Sequence, residues 1–326
     1  MLLLKDIKGQ HDPVRYLRGS ISSGRISASY LFSGPSGVGR ALTAKAFLRE
    51  LLFSSGFEGE GIGRYNDELG KFDKMEHPDV KWIIPEKNKS IGIDEIRLIK
   101  DTLYMKPFSA SSNAAVIEDA HMMTQEAANA LLKVLEEPPD HSIIILISDK
   151  KEWIPPTVLS RCSEVRFSPL PGGVVRDIIM DRSGADEQTA DLLAGFSQGS
   201  VGKALEWQGS DFAERRKALA DMVKSFTFSP HDVLMNWHSE SKDVLVEDID
   251  TLIAMLRDAA LANEGIPGSL LHWETIDGTS GWPVQQKNAD EIYGTMERLT
   301  EIKRAIAGNC NTKIVSQVLP FLLSEV

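Results

Sequence analysis

The chain has 326 residues, 42% hydrophobic and 25% charged, which excludes a disordered class and leaves room for two or three domains with cores of their own. Its net charge is −11 and its basic residues are scattered, so action on nucleic acid would need partners to supply the positive field. No segment approaches the roughly 20 apolar residues of a membrane span, Met1–Leu4 is too short for a signal peptide, and Cys162 and Cys310 form no metal-type cluster, so a cytoplasmic, membrane-free protein is expected.

In chain order, residues 5–28 read as a helix with its lead-in, Val14, Leu17 and Ile21 sharing one stripe. Residues 30–32 are a short apolar strand, and 41–52 are apolar at helical spacing. Residues 54–79 are rich in Gly, Asp and Glu and predict an exposed excursion. Strands follow at 81–84, 114–117, 143–147 and 165–167, with helices at 94–103 and 125–136, the second stopped by Pro138-Pro139. This alternation predicts an α/β parallel sheet with right-handed crossovers. Beyond Pro171 the pattern becomes helical: 174–181, 187–196, 203–207, 212–226, 230–238, 246–263, 289–307 and 313–323, with a loop at 265–286. The expected division is an α/β P-loop domain at 1–168, a helical lid at 169–209 and an all-α domain at 210–326.

Between the first strand and its helix runs Gly34-Pro35-Ser36-Gly37-Val38-Gly39-Arg40-Ala41, the outline of the phosphate loop G-x-x-x-x-G-K-[S/T]. Backbone N–H groups in such a turn cradle phosphate oxygens, helped by the helix N-terminus. Arg40 stands where a lysine reaches the β- and γ-phosphates, and Ala41 where a hydroxyl holds Mg²⁺. Arginine keeps the charge but not the compact shape; alanine ligates nothing. Glu118-Asp119 ends the third strand, where a P-loop enzyme carries Asp then Glu, so each carboxylate is displaced by about a methylene. The pair reads either as a degenerate metal-holding site or as two solvated acids. Ser148 ends the fourth strand, as a sensor of the γ-phosphate or as a turn residue.

Arg161, in Ser160-Arg161-Cys162, follows a short helical turn. It reads either as a bond to the last helix carbonyls or as an arginine finger, a guanidinium that neutralises charge on a transferring phosphoryl group. His77-Pro78-Asp79 reads as a turn capped by its Asp rather than a metal pair. Glu214-Arg215-Arg216-Lys217 reads as a solvated helix face.

Three strings together, Glu118 to Thr124, Ala127-Ala128-Asn129-Ala130-Leu131-Leu132-Lys133-Val134-Leu135-Glu136-Glu137-Pro138-Pro139, and Ser160-Arg161-Cys162, resemble the clamp-loader branch of the AAA+ ATPases. Gly9-Gln10, His77-Pro78-Asp79 and residues 91–97 extend the resemblance over roughly 5–207, and residues 304–311 more weakly resemble the helical collar of these rings. The resemblance implies a P-loop AAA+ domain, a three-helix lid and a collar. It also implies a subunit of the DNA polymerase III holoenzyme that sits in a hetero-oligomeric ring with motor subunits of the gamma/tau type and a delta subunit, and meets sliding clamp and primed DNA through that complex.

In ATP-hydrolysing relatives the lid helix offers an arginine to the nucleotide, and the matching position here is Gly202. With Gly34, Gly37, Gly39, Arg40, Ala41, Glu118, Asp119 and Ser148 forming a degenerate nucleotide site, the resemblance implies that Arg161 acts in trans. No catalytic group or metal is expected at the chain's own site, and ATP and Mg²⁺ are expected at the neighbours. Many relatives carry a four-cysteine zinc module before the His-Pro-Asp, but residues 53–76 contain no cysteine, so no zinc is expected. Alternatives are an AAA+ module that binds ATP without hydrolysing it, or the motor subunit of the same loader. A stand-alone DNA remodeller is disfavoured by the charge.

Overall fold

Strand β1 (Ser29–Ser33) is buried along its whole length, and its alternation decides how the layers form. Tyr30 and Phe32 point to one face, where Tyr30 meets Phe47 edge-on at 5.4 Å and Phe32 meets Phe167 at 5.3 Å. Leu31 points to the other, into a core with Ile96, Ile99, Leu131, Val134 and Ile144. The computed structural model describes residues 2–53, 62–86, 89–208, 210–225, 242–264, 289–307 and 315.

By internal contacts the chain divides into two units, Met1–Val174 with Gly199–Gly202, and Val175–Gln198 with Lys203–Val326. In the first, β1, β2 (Val80–Ile83), β3 (Asn113–Ile117), β4 (Ser142–Ser148) and β5 (Ser163–Arg166) form one sheet in the order β2-β3-β4-β1-β5. Every pairing is parallel. The register aligns Ser33 with Ser148 and with Arg166, and Ile117 with Leu146 and Ile83. The carboxyl ends of the strands therefore share one edge, where open α/β sheets bind ligands.

The helices of this unit are α1 (His11–Ser23), α2 (Arg40–Phe53), α3 (Ile62–Asp73), α4 (Ile93–Tyr104), α5 (Gln125–Glu136) and α6 (Pro156–Leu159). Helix α5 starts where Thr124 Oγ1 accepts from the Ala127 N–H, and it buries Ala127, Ala128, Leu131, Val134 and Leu135. The excursion expected at 54–79 is corrected over its described part. Residues 62–73 are helical, and Phe72 packs edge-on against Phe53 at 5.2 Å. Leu69 and Phe72 are buried, and Glu68 is buried with them, its carboxylate 3.0 Å from His77 Nε2 and accepting from Ser109 Oγ at 2.9 Å. The His-Pro-Asp segment is a turn as expected, but the His77 ring rather than Asp79 caps it: His77 Nδ1 accepts from the Asp79 N–H at 3.1 Å, while the Asp79 carboxylate accepts from the N–H groups of Phe108, Ser109 and Ala110 at 2.7–2.8 Å.

The second unit is helical where described: most of α7 (Gly172–Ser183), then α8 (Glu187–Phe196), most of α9 (Val201–Gln208), α10 (Phe212–Ser225), α11 (Lys242–Asn263) and α12 (Ala289–Ala307). Leu245, Ile249, Leu252 and Leu256 of α11 are buried, as are Ile292, Leu299 and Ile306 of α12. The four-residue charged cluster is not a solvated face. Arg216 is 3% exposed and lies over the Phe196 ring, and Arg215 pairs with Asp248 at 2.7 Å. Burial of the arginine stems on aromatic surface, with acids within reach, outweighs the preference of two of the four charges for water. The helices expected at 230–238 and 313–323 and the loop at 265–286 lie outside the described residues, Val315 excepted. Among the described residues no helix is long and apolar enough to cross a membrane.

Candidate functional site

The P-loop leaves β1 at Gly34, whose N–H donates to the Ser148 carbonyl at 3.3 Å. Its φ of +141° and the Phe167 carbonyl 2.3 Å from where a Cβ would stand leave no room for a side chain. Gln10 ties the loop to the start of the chain, its Nε2 donating to the carbonyls of Ser168 (2.8 Å) and Val38 (3.2 Å). At the loop's crown, Gly37 (φ +74°) and Gly202 meet backbone to backbone, and the Gly202 N–H donates to the Gly37 carbonyl at 2.9 Å. A Cβ at Gly202 would stand 2.8 Å from the Gly37 Cα, so the position expected to carry a lid arginine in hydrolysing relatives is closed to one in this arrangement.

Arg40 opens α2 and is 6% exposed, with no hydrogen-bond partner for its Nη1. Burial pushes its guanidinium below the ordinary value, opposed by attraction to Asp149, Asp119 and Glu118. These acids stand at the carboxyl edge of the sheet. Glu118 is not the solvated acid of the simpler reading: its Oε1 accepts from Trp82 Nε1 at 2.7 Å. Burial raises its carboxyl above the ordinary range, and the Trp82 bond offsets part of that. Asp119 is exposed, in left-handed backbone at φ 46°. Ser148 is fully buried, with its Oγ 3.2 Å from His121 Nδ1 and accepting from the Lys150 N–H at 3.0 Å. Position 41 offers only a methyl group.

Sequence reasoning missed that His121 and Asp149 belong here. One ligand atom each from Asp119, His121 and Asp149 lies within 4.8 Å of the others. His121 stood in a quoted string, but only the β3–β4 pairing brings it to Asp149. A divalent cation at these three would face the repulsion of the buried Arg40 guanidinium, and it would find no hydroxyl at 41, so the residues do not fit a P-loop Mg²⁺ site. Beside the loop, a groove of about 570 Å³ is lined by Ser33, Pro35, Ser36, Asp149 and Glu164, among others. Glu164 accepts from Ser33 Oγ and Lys151 Nζ, both at 2.7 Å, and pairs with Arg166 at 3.0 Å. Burial opposes its ionisation, but these three partners outweigh it and bring its carboxyl down to about 2.

Arg161 is elsewhere. It follows α6 and precedes β5, whose first residue aligns with Tyr30 and whose last aligns with Ser33. It therefore lies beyond the amino end of β5, roughly 10 Å of strand away from the edge that carries the P-loop. Its Nη1 donates to the Thr157 carbonyl at 2.7 Å, the helix-end bond of the simpler reading, and its Nη2 donates to Glu136 Oε1 at 2.6 Å.

A five-stranded parallel sheet with a P-loop leaving β1, acids ending β3, a serine ending β4 and helices following defines a P-loop α/β domain of the AAA+ class. The family described as "DNA polymerase III, delta subunit" matches residues 9–171, half of the chain, and the chain belongs to that family. Along nearly its whole length it is similar to the DNA polymerase III subunit delta' of Bacillus subtilis, 26% identical over 96% of this chain and 95% of the relative, which bears out the resemblance to a clamp-loader subunit of DNA polymerase III. It is also similar to the tau subunits of Bacillus subtilis (28% identical over 62% of this chain) and Escherichia coli (30% over 61%), but spans only about a third of their lengths, 36% and 31%. Among solved structures, a gamma subunit-related protein of Thermotoga maritima is 20% identical with a TM-score of 0.45, covering 95% of this chain and 98% of that one.

Proposed function

We propose that this chain is the non-hydrolysing member of a DNA polymerase III clamp loader, a cytoplasmic ring in which it lends Arg161 to the ATP site of a neighbouring gamma/tau-type motor subunit. With a delta subunit and the motors it would act on sliding clamp and primed DNA through the assembly. The observation that carries this reading is placement: the only arginine with a finger's sequence context stands at the sheet edge opposite its own P-loop, with its side chain 34% exposed. A guanidinium stabilises a transferring phosphoryl only when it touches it, so Arg161 serves another chain's site or none. The chain's own site supports the rest. Ala41 holds no metal, Arg40 is buried and attracted to the chain's own acids, and Gly202 sits against the loop.

The test is a loader reconstituted with motor and delta subunits. Arg161→Ala should leave the chain folded, because its exposed pair contributes about 0.2–1 kcal/mol. Turnover at the one site it completes should fall by up to about 10³-fold. Sites completed by other subunits still fire, so single-site or clamp-loading readouts are needed. Equal clamp loading at equal incorporation refutes the reading. A second reading, nucleotide held without hydrolysis, draws on the unpartnered Nη1 of Arg40. Saturable binding of a fluorescent ADP analogue to the isolated chain, lost on Arg40→Ala, would favour it.

A further inference from the structure

Resting on that reading of Arg161, we propose that Glu136 is a positioning residue that parks the finger until a neighbour's phosphate displaces it. Arg161 has two kinds of anchor. The Thr157 carbonyl, 2.7 Å from Nη1, is a neutral acceptor left over at the end of α6, so it fixes one arm of the guanidinium and leaves the charge intact. Glu136 is different. Its Oε1 lies 2.6 Å from Nη2 and brings a full negative charge against the guanidinium. A carboxylate there takes an N–H and repels a second anion, so the parked arginine is a poorer phosphate ligand than the released one.

The position of Glu136 has no explanation in its own helix. It is the last residue of α5, at the end where the helix dipole disfavours an acid, and Pro138-Pro139 stop the chain just beyond it. Among its described contacts Arg161 is the partner. The pair is also weak enough to give way. The side chains are 34% and 48% exposed, and a surface pair of this kind biases a two-state population by at most about five-fold. A γ-phosphate, with more charge and more oxygens in the fork of the guanidinium, competes successfully. Parking therefore holds back firing in the incompletely engaged ring and costs little once subunits close.

The experiment compares loaders assembled from full-length chains carrying wild type, Glu136→Gln, Glu136→Asp, Arg161→Ala or the double change Glu136→Gln with Arg161→Ala. ATP turnover is followed against ATP concentration, with and without primed DNA and clamp. Glu136→Gln should raise unstimulated turnover by at most about five-fold, mainly as a lower KM, with stimulated kcat nearly unchanged. Glu136→Asp, which keeps the charge, should stay near wild type, and the double change should behave as Arg161→Ala. If Glu136→Gln leaves unstimulated turnover unchanged, or its gain survives in the double change, parking is refuted. A loss of stimulated kcat in Glu136→Gln also refutes it, because the glutamate would then orient the finger rather than restrain it. In each of those cases an impaired Arg161→Ala loader keeps the finger reading intact, whereas an unimpaired one removes both.

Discussion

The contact between Gly37 and Gly202 is the feature of the P-loop most open to a quantitative test. A methyl group at 202 would stand 2.8 Å from the Gly37 Cα, a backbone atom that has no rotamer to yield. Ordinary contact begins near 3.4 Å, so backbone must move by at least about 0.6 Å, and the Gly202 N–H bond to the Gly37 carbonyl would be stretched or lost. Overpacking of this size costs about 1–3 kcal/mol, of which the hydrogen bond accounts for about 1. Gly202→Ala should therefore lower the thermal midpoint of the P-loop unit by several degrees, at about 2–4 °C per kcal/mol for a unit of this size. Gly19→Ala is the control. It sits in α1 with open space around its would-be Cβ, and alanine there should stabilise by about 0.5–1 kcal/mol. Circular dichroism melts of both variants beside wild type make the measurement. A Gly202→Ala chain as stable as wild type would show that the loop and residue 202 do not touch in solution, and the argument that the site is closed to a lid arginine would fail with it.

Two further outcomes follow from buried polar groups. Asp79→Ala strips the acceptor from three backbone N–H groups beneath a 4%-exposed side chain, and it should cost about 3 kcal/mol or more in a urea titration, with Asp79→Asn milder. Acid should destabilise the P-loop unit in two steps. Burial depresses His77, whose Nδ1 accepts from the Asp79 N–H and whose Nε2 faces Glu68 at 3.0 Å, so its contribution is full above about 6.5 and is lost as pH falls below that. Glu164, held at about 2, stabilises above about 4.5 and loses its contribution as pH falls from there toward 2. That second step is about 1–2 kcal/mol after discounting for a side chain one-quarter exposed, and Glu164→Gln should remove it from the urea midpoint measured against pH.

What could be read in the sequence was whatever repeats at a fixed period or sits at a fixed offset from a strand. The five strands were legible because 30–32 and 143–147 are continuous apolar runs, as strands buried on both faces must be. The P-loop, its missing hydroxyl and the acids at the end of β3 were legible because they are local. Contacts made by register were not. Nothing in the string pairs Trp82 with Glu118 or His121 with Asp149; the parallel ladders do that. The charged cluster at 214–217 misled for the same reason, since the acids that draw Arg215 inward lie more than 30 residues away.

The separation of the two arginines explains how a P-loop of this kind tolerates its substitutions. In a working site the acids at the strand ends are balanced by metal and lysine, and losing both would leave the carboxylates without those partners. Here Arg40 attracts them from within the chain, and Trp82 takes one oxygen of Glu118, so part of that charge is offset without a ligand. The cost is visible in the depressed guanidinium and its unpartnered Nη1. Nothing at that edge bears on Arg161, whose anchors, Thr157 and Glu136, belong to the ends of α6 and α5 at the opposite side of the sheet. A change confined to residues 40 and 41 therefore alters what the chain does for itself and leaves intact what, on the reading proposed above, it does for its neighbour.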